Sequence, residues 1–281
     1  MTNGKVVQKV RVKPLGHSSH STPIVFVGAG NLGGAVIKAL VAKRVYAKSK
    51  ILVITASQAS AARWRRWGVR AVAGDYSALA SAREVWLAVK PAQIRELAPS
   101  LKIKSGARVI SLLAGWTPSA LAKVLKQNSV VITVMTNTAA RANAGLYAVF
   151  YAKALAPSFR AELSRLFAKL GHFCGFYGEA QMPEVTALVG SAPAFLLHLQ
   201  REYESFAAQS GVTPKVARAW WAALGRANEA LVTEQPDLAQ LMREIATPGG
   251  CTERGLSALD KFTALERALG DCAVRAKEMG T

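Results

Sequence analysis

With 281 residues and 51% apolar side chains, the chain is large enough for one or two domains with a sizeable core, which excludes a fibrous or wholly disordered class. Its formal net charge of +19 is uneven: residues 1–160 hold 24 Lys/Arg against 3 Asp/Glu, whereas residues 161–281 hold 12 against 14. Three cysteines (Cys174, Cys251, Cys272) and four histidines (His17, His20, His172, His198) stand at no metal-ligand spacing, so no metal site is expected and a reducing cytoplasm fits best.

Residues 1–22 carry Lys5, Lys9, Arg11 and Lys13, then a His/Ser/Thr stretch. With no apolar run long enough for a signal peptide, they read as a disordered basic leader. Ile24 to Val27 is the apolar run of a buried parallel strand, and Gly28-Ala29-Gly30-Asn31-Leu32-Gly33 follows it. Ala35, Val36, Ala39 and Leu40 then recur at helical spacing, and Ile51 to Thr55 supplies a second strand. Strand, glycine turn and helix in this order form a dinucleotide-binding fingerprint. Gly28 makes the tight turn, Gly30 lets the backbone approach a pyrophosphate, and Gly33 lets helix and strand pack closely. Asn31 and Leu32 open the helix, whose N-terminal N–H groups favour an anion.

No Asp or Glu occurs before Asp75. An NAD-preferring site places an acid about 20 residues past the glycines, on the ribose 2′-hydroxyl. That acid would repel a 2′-phosphate, so its absence predicts NADP(H) over NAD(H). Thr55 and Ser57, at the end of the second strand, can donate to such a phosphate, with Arg63 about two helical turns on. Arg65 and Arg66 read as a solvated helix face.

Strands are expected at 84–89, 107–112, 130–135, 146–151 and 173–177, with a helix over 159–170. This alternation predicts a doubly wound, mostly parallel α/β sheet of the Rossmann type in a domain over residues 23–178. Val89-Lys90-Pro91, Ala114-Gly115 and the loop containing Asn137 lie at strand C-termini and should line the cofactor crevice. After residue 180 the pattern is helical, over 184–210, 214–232, 236–246 and 254–279, so residues 182–281 are expected to form an all-α domain. Its longest apolar stretch, Val185 to Leu199, is too short to span a bilayer, and no membrane contact is expected. Trp220-Trp221 reads as core or subunit interface.

The order of these motifs resembles that of the pyrroline-5-carboxylate reductase family over residues 23–279. The resemblance rests on the glycine turn, Ala88-Val89-Lys90-Pro91, Ser111 to Gly115, Met135-Thr136-Asn137-Thr138, Gly190-Ser191-Ala192-Pro193-Ala194 and Thr247 through Gly255. It implies NADPH-dependent reduction of a cyclic imine, most directly 1-pyrroline-5-carboxylate to proline, by a homodimer or larger oligomer formed through the helical domain. It further implies that Thr247, Gly249, Gly250, Cys251 and Thr252 bind the substrate carboxylate across the dimer interface. Lys90, Ala114 and Asn137 would stand near the cofactor, and Ser191 and Thr252 are the candidate catalytic residues. The glycine loop also suits an anion on its own chemistry, through backbone N–H groups beside a helix N-terminus.

The departures gather at the substrate end. The family's Met-Pro-Asn-Thr-Pro is Met135-Thr136-Asn137-Thr138-Ala139 here, and Thr133 stands where arginine is common. Gly-Ser-Gly-Pro-Ala-Tyr has become Gly190 to Phe195, and the first threonine after Gly-Gly is Cys251. Losing two prolines should loosen the loop after residue 135. The alternatives are a reductase of another small imine or carbonyl compound, and a non-catalytic paralogue that binds nucleic acid through its basic half. Nucleic acid is not the expected partner, since the basic residues are scattered and not interleaved with aromatics.

Overall fold

The computed structural model describes residues 23–126, 129–260 and 263–279; the basic leader lies outside them. Eight strands form one sheet: β1 Ile24–Val27, β2 Ile51–Thr55, β3 Arg70–Ala73, β4 Glu84–Leu87, β5 Arg108–Ser111, β6 Val130–Thr136, β7 Gly145–Tyr151 and β8 Gly171–Gly178. Their order is β3-β2-β1-β4-β5-β6-β7-β8. All pairs are parallel except β6 with β7. The first six strands have the dinucleotide-binding order, with the switch point between β1 and β4.

Both faces of the central strands are buried, which is why they read as continuous apolar runs. Phe26, Ile51, Val53 and Trp86 point to one face, packing against α1 (Asn31–Ala42), α2 (Gln58–Arg66) and, further on, α5 (Pro157–Leu170). Val25, Val27, Leu52 and Leu87 point to the other, against α3 (Ile94–Leu97) and α4 (Pro118–Leu125). Phe26 and Trp86 stack with centroids 5.2 Å apart.

Strand β3 was not expected from sequence. It is a sheet edge of Arg-Ala-Val-Ala whose first residue is exposed, and one β-branched residue between two alanines marks it only weakly. A buried ionic cluster sits at the N-terminal ends of β4 and β5. Glu84 accepts from Trp86 Nε1 (2.7 Å) and Tyr46 Oη (2.9 Å), while Arg108 donates to Glu162 at 3.1 Å and lies 4.0 Å from Glu84. Burial outweighs these partners and raises the Glu84 pKa; burial, then Glu84, drives the Tyr46 pKa far above its ordinary value. This end of the strands is opposite the glycine turn, so the perturbation belongs to the core.

Two compact units result: residues up to Ser191 with the chain from Asp271 onward, and Ala192–Gly270. In the first, α6 (Met182–Val185) continues through a π-helical turn, Thr186–Ser191, a break in helical register that periodicity alone does not reveal. The run Glu179–Gln209 is apolar and long enough to cross a bilayer by composition. Met182, Val185 and Val189 of that run are buried with Met135, Ala148 and Phe150 of the sheet, so packing accounts for part of its hydropathy. The second unit holds α7 (Ala192–Gln209), α8 (Pro214–Glu234), α9 (Leu238–Ile245) and α10 (Cys251–Leu259). The helix expected over 254–279 is instead two, α10 and α11 (Ala264–Met279), the latter ending in the first unit.

Candidate active site

Three glycines shape the turn after β1, each for a different reason. Gly28 has φ +88°, and a Cβ there would lie 2.6 Å from the Ala88 carbonyl oxygen. At position 33 a Cβ would meet Ala88 Cβ at 2.6 Å. Both therefore let the turn and α1 sit directly on the chain leaving β4. Gly30 has nothing within 4 Å of where a Cβ would be, so its bare backbone faces open space. It is the N-cap of α1, with no side-chain cap and no acid in the first turn. Uncapped N–H groups and the helix dipole converge there, as a diphosphate requires.

The two hydroxyls at the end of β2 separate. Thr55 is buried and its Oγ1 donates to the carbonyls of Ser57 (3.0 Å) and Val72 (3.3 Å). Its single proton is spent inside the protein, which corrects the expectation that it donates to a phosphate. Ser57 is exposed and N-caps α2, its Oγ accepting from the Ser60 N–H at 3.3 Å. Its own proton is left to donate outward. Arg63 Nη2 reaches back to Ser60 Oγ at 3.1 Å, which brings the guanidinium to the same helix N-terminus. Ser60 was missed from sequence, although its spacing to Ser57 is the signature of a helix N-cap. Arg65 and Arg66 are exposed, as a solvated face requires, and Arg65 Nη1 also donates to the Ala71 carbonyl at 2.9 Å.

The loops after β4, β5 and β6 are tied together. Lys90 is exposed, and Pro91 accepts at its carbonyl from the Trp116 indole at 3.1 Å. Ala114-Gly115 forms a turn with Gly115 at φ +77°. Ser111 Oγ accepts from the Leu113 N–H before this turn, and Thr133 Oγ1 donates to the Trp116 carbonyl after it. Thr133 thus holds the loop that lies over the end of β5.

Asn137 is buried, with both halves of its amide engaged. Nδ2 donates to the Val189 carbonyl at 2.9 Å, and Oδ1 accepts from the Ala139 N–H at 3.1 Å. It is a strut between β6 and the π-helical turn, which takes one of its two Nδ2 hydrogens and one Oδ1 lone pair. The second bond also answers the expectation of a loosened loop: Ala139 supplies an N–H that a proline lacks, and the loop closes into a 3₁₀ turn over Thr138–Ala142. Ser191 ends the π-helical turn, its Oγ 3.0 Å from Cys272 Sγ.

In the second unit, Thr247 to Gly250 turns into α10. Gly249 has φ +69°, and a Cβ at Gly250 would collide with Thr247 Oγ1. The expected free donors shift along the loop. The Gly249 N–H is taken by Glu253 Oε2 (2.7 Å) and the Gly250 N–H by the Thr247 carbonyl (2.9 Å). Gly250 is an N-cap without a side-chain cap, so the backbone N–H groups of Cys251 and Thr252, in the first turn of α10, are the ones turned toward solvent.

The parallel sheet, the turn geometry and the uncapped helix at its switch point define a dinucleotide-binding oxidoreductase with a C-terminal helical module. Residues 179–279 match the family described as "Pyrroline-5-carboxylate reductase dimerisation", and residues 23–115 match "NADP oxidoreductase coenzyme F420-dependent". The pyrroline-5-carboxylate reductase of Haemophilus influenzae is 28% identical over 92% of this chain and 97% of its own length. A solved pyrroline-5-carboxylate reductase from Coxiella burnetii superposes with a TM-score of 0.77 at 28% identity, covering 93% of this chain and all of that one. That of Plasmodium falciparum, solved with NADP bound, shares the fold at a TM-score of 0.80 and 19% identity, covering 92% and 98%. Over nearly its whole length the chain is similar to pyrroline-5-carboxylate reductases, and its C-terminal part matches their dimerisation family.

Proposed function

We propose that this protein reduces 1-pyrroline-5-carboxylate to proline, with NADPH as the preferred hydride donor. The observation that carries the proposal is the open, uncapped N-terminus of α1 at Gly30, in a chain whose N-terminal part matches an NADP oxidoreductase family and whose C-terminal part matches the reductase dimerisation family. Gly28, Gly30, Asn31, Leu32 and Gly33 would hold the diphosphate. Ser57, with Arg63 turned toward the same helix N-terminus, suits a 2′-phosphate, and no acid in the first turn of α2 opposes it. When bound, the nicotinamide supplies the hydride. The chain's own part is alignment, exclusion of water and polarisation of the C=N bond.

The loops Val89-Lys90-Pro91 and Ala114-Gly115 form the crevice wall and are fixed by the Trp116 and Thr133 hydrogen bonds. Asn137 holds the π-helical turn that carries Ser191. Thr247, Gly249, Gly250, Cys251 and Thr252 make the carboxylate-binding loop, supplied across the interface of a homodimer, or of a larger assembly built from dimers. We place the protein in the cytoplasm, where its three unpaired cysteines stay reduced.

Purified protein should oxidise NADPH when given 1-pyrroline-5-carboxylate, faster than NADH at equal concentration. Thr252→Ala should raise the imine KM about tenfold, as expected for losing a charge-assisted hydrogen bond. No turnover with five- or six-membered cyclic imino acids would sink the assignment. The altered residues Cys251, Ala192 and Phe195 favour one second reading, a related imine without the carboxylate. In that case, turnover of such imines would be insensitive to Thr252→Ala.

A further inference from the structure

Ser191 and Cys272 both lie in the larger unit, and both are half-buried. A hydroxyl oxygen is the better acceptor and sulfur the poorer one, so across their 3.0 Å separation the thiol donates to Ser191 Oγ. A serine hydroxyl has one proton and two lone pairs. With one lone pair occupied by the thiol, the proton is directed away from Cys272, and it meets no acceptor among the described residues.

Two contacts tie this hydroxyl to the crevice edge of the sheet. Asn137, just past the end of β6, holds the Val189 carbonyl two residues before Ser191. Gly190, adjacent to Ser191, packs so closely on β6 that a Cβ there would stand 3.2 Å from Met135 Sδ. The backbone at Ser191 is therefore fixed from one side by β6, and its side-chain torsion from the other by α11. π-Helical turns occur often at functional sites, where they re-aim one side chain without breaking the helix.

We propose that Cys272 is a positioning residue for imine reduction: its thiol sets the Ser191 torsion so that the serine proton is presented to the imine nitrogen. The proposal rests on the reductase reading given above. Sequence alone did not suggest it, because 81 residues separate the pair and cysteine has no fixed role at helical positions.

The test compares the full-length wild type with Cys272→Ala, Cys272→Ser, Ser191→Ala and the double Ser191→Ala/Cys272→Ala variant in steady-state NADPH oxidation with the cyclic imine. Cys272→Ala should lower kcat about fivefold, the effect of one neutral hydrogen bond, while the KM for NADPH stays within about twofold of wild type. Cys272→Ser keeps a donor of similar size and should recover most of the rate. The double variant should be no slower than Ser191→Ala alone, since Cys272 acts only through the serine. A wild-type rate in Cys272→Ala, no recovery with serine, or additive losses in the double variant overturns the proposal while leaving the reductase reading intact. A wild type inactive with every cyclic imine defeats that reading and the proposal with it.

Discussion

At the scale of single residues, the glycines of the first turn separate folding from binding. Gly30→Ala meets nothing within 4 Å and leaves φ in an ordinary region, so thermal stability should hold while NADPH affinity falls at least about tenfold as the methyl intrudes on the diphosphate. Gly33→Ala collides with Ala88 and should instead lower the unfolding free energy by about 1–3 kcal/mol, as overpacking does. Fluorescence titration and thermal melts of the two variants check both outcomes. Arg63→Ala should weaken NADPH about tenfold and leave NADH unchanged, the scale of one charge-assisted bond to a phosphate. Glu84 gives a pH prediction. Its folded pKa is raised, so its contribution is fully present below the ordinary carboxylate range and is lost as pH rises through the folded value. Urea midpoints should fall in the wild type as pH rises above the ordinary carboxylate range, and Glu84→Gln should flatten that fall.

Elements carry the site where residues from distant segments meet. The π-helical turn is held to the sheet by Asn137, and Asn137→Ala would leave the Val189 carbonyl without that donor in a buried setting. A loss of about 1–3 kcal/mol in stability is expected, together with a lower kcat because Ser191 moves with the turn. Equilibrium unfolding and initial rates measure the two parts. Much of this architecture was legible in the sequence: β1, β2 and β4 to β8 follow apolar runs, and α1 follows its 3.6-residue period. Strand β3 escaped because an Ala-rich edge has no such signature, and the break between α10 and α11 because its helical pattern continues across it.

The whole molecule combines a basic first half with a helical unit that buries little of its own apolar surface. Leu197, Phe206 and Leu224 of that unit are 65%, 71% and 53% exposed. Surface of this kind marks an interface, in keeping with the dimerisation family matched there. Leu224→Glu should therefore shift the protein toward monomer in sedimentation velocity, and, on the proposal that the partner supplies the carboxylate loop, activity should fall with it. The charge of +19 belongs to the same scale. It attracts dianionic and trianionic ligands from a distance, so kcat/KM for NADPH should decline with added salt.

The sequence by itself determined the class of fold, the diphosphate turn and the absence of an acid after β2, because these depend on local chemistry: strand hydrophobicity, glycine conformation and charge. Tertiary structure alone decided which polar groups are free to act. Thr55 looked available and its proton is consumed internally, and Asn137 spends part of its amide on the π-helical turn; the Gly249 and Gly250 N–H groups are taken, while the first turn of α10 is open. Ser60 and Cys272, unremarkable as letters, become partners of the residues that matter. A hydrogen-bond donor serves a ligand only if no nearer acceptor claims it, and nearness across 17, 52 or 81 residues exists only once the chain has folded.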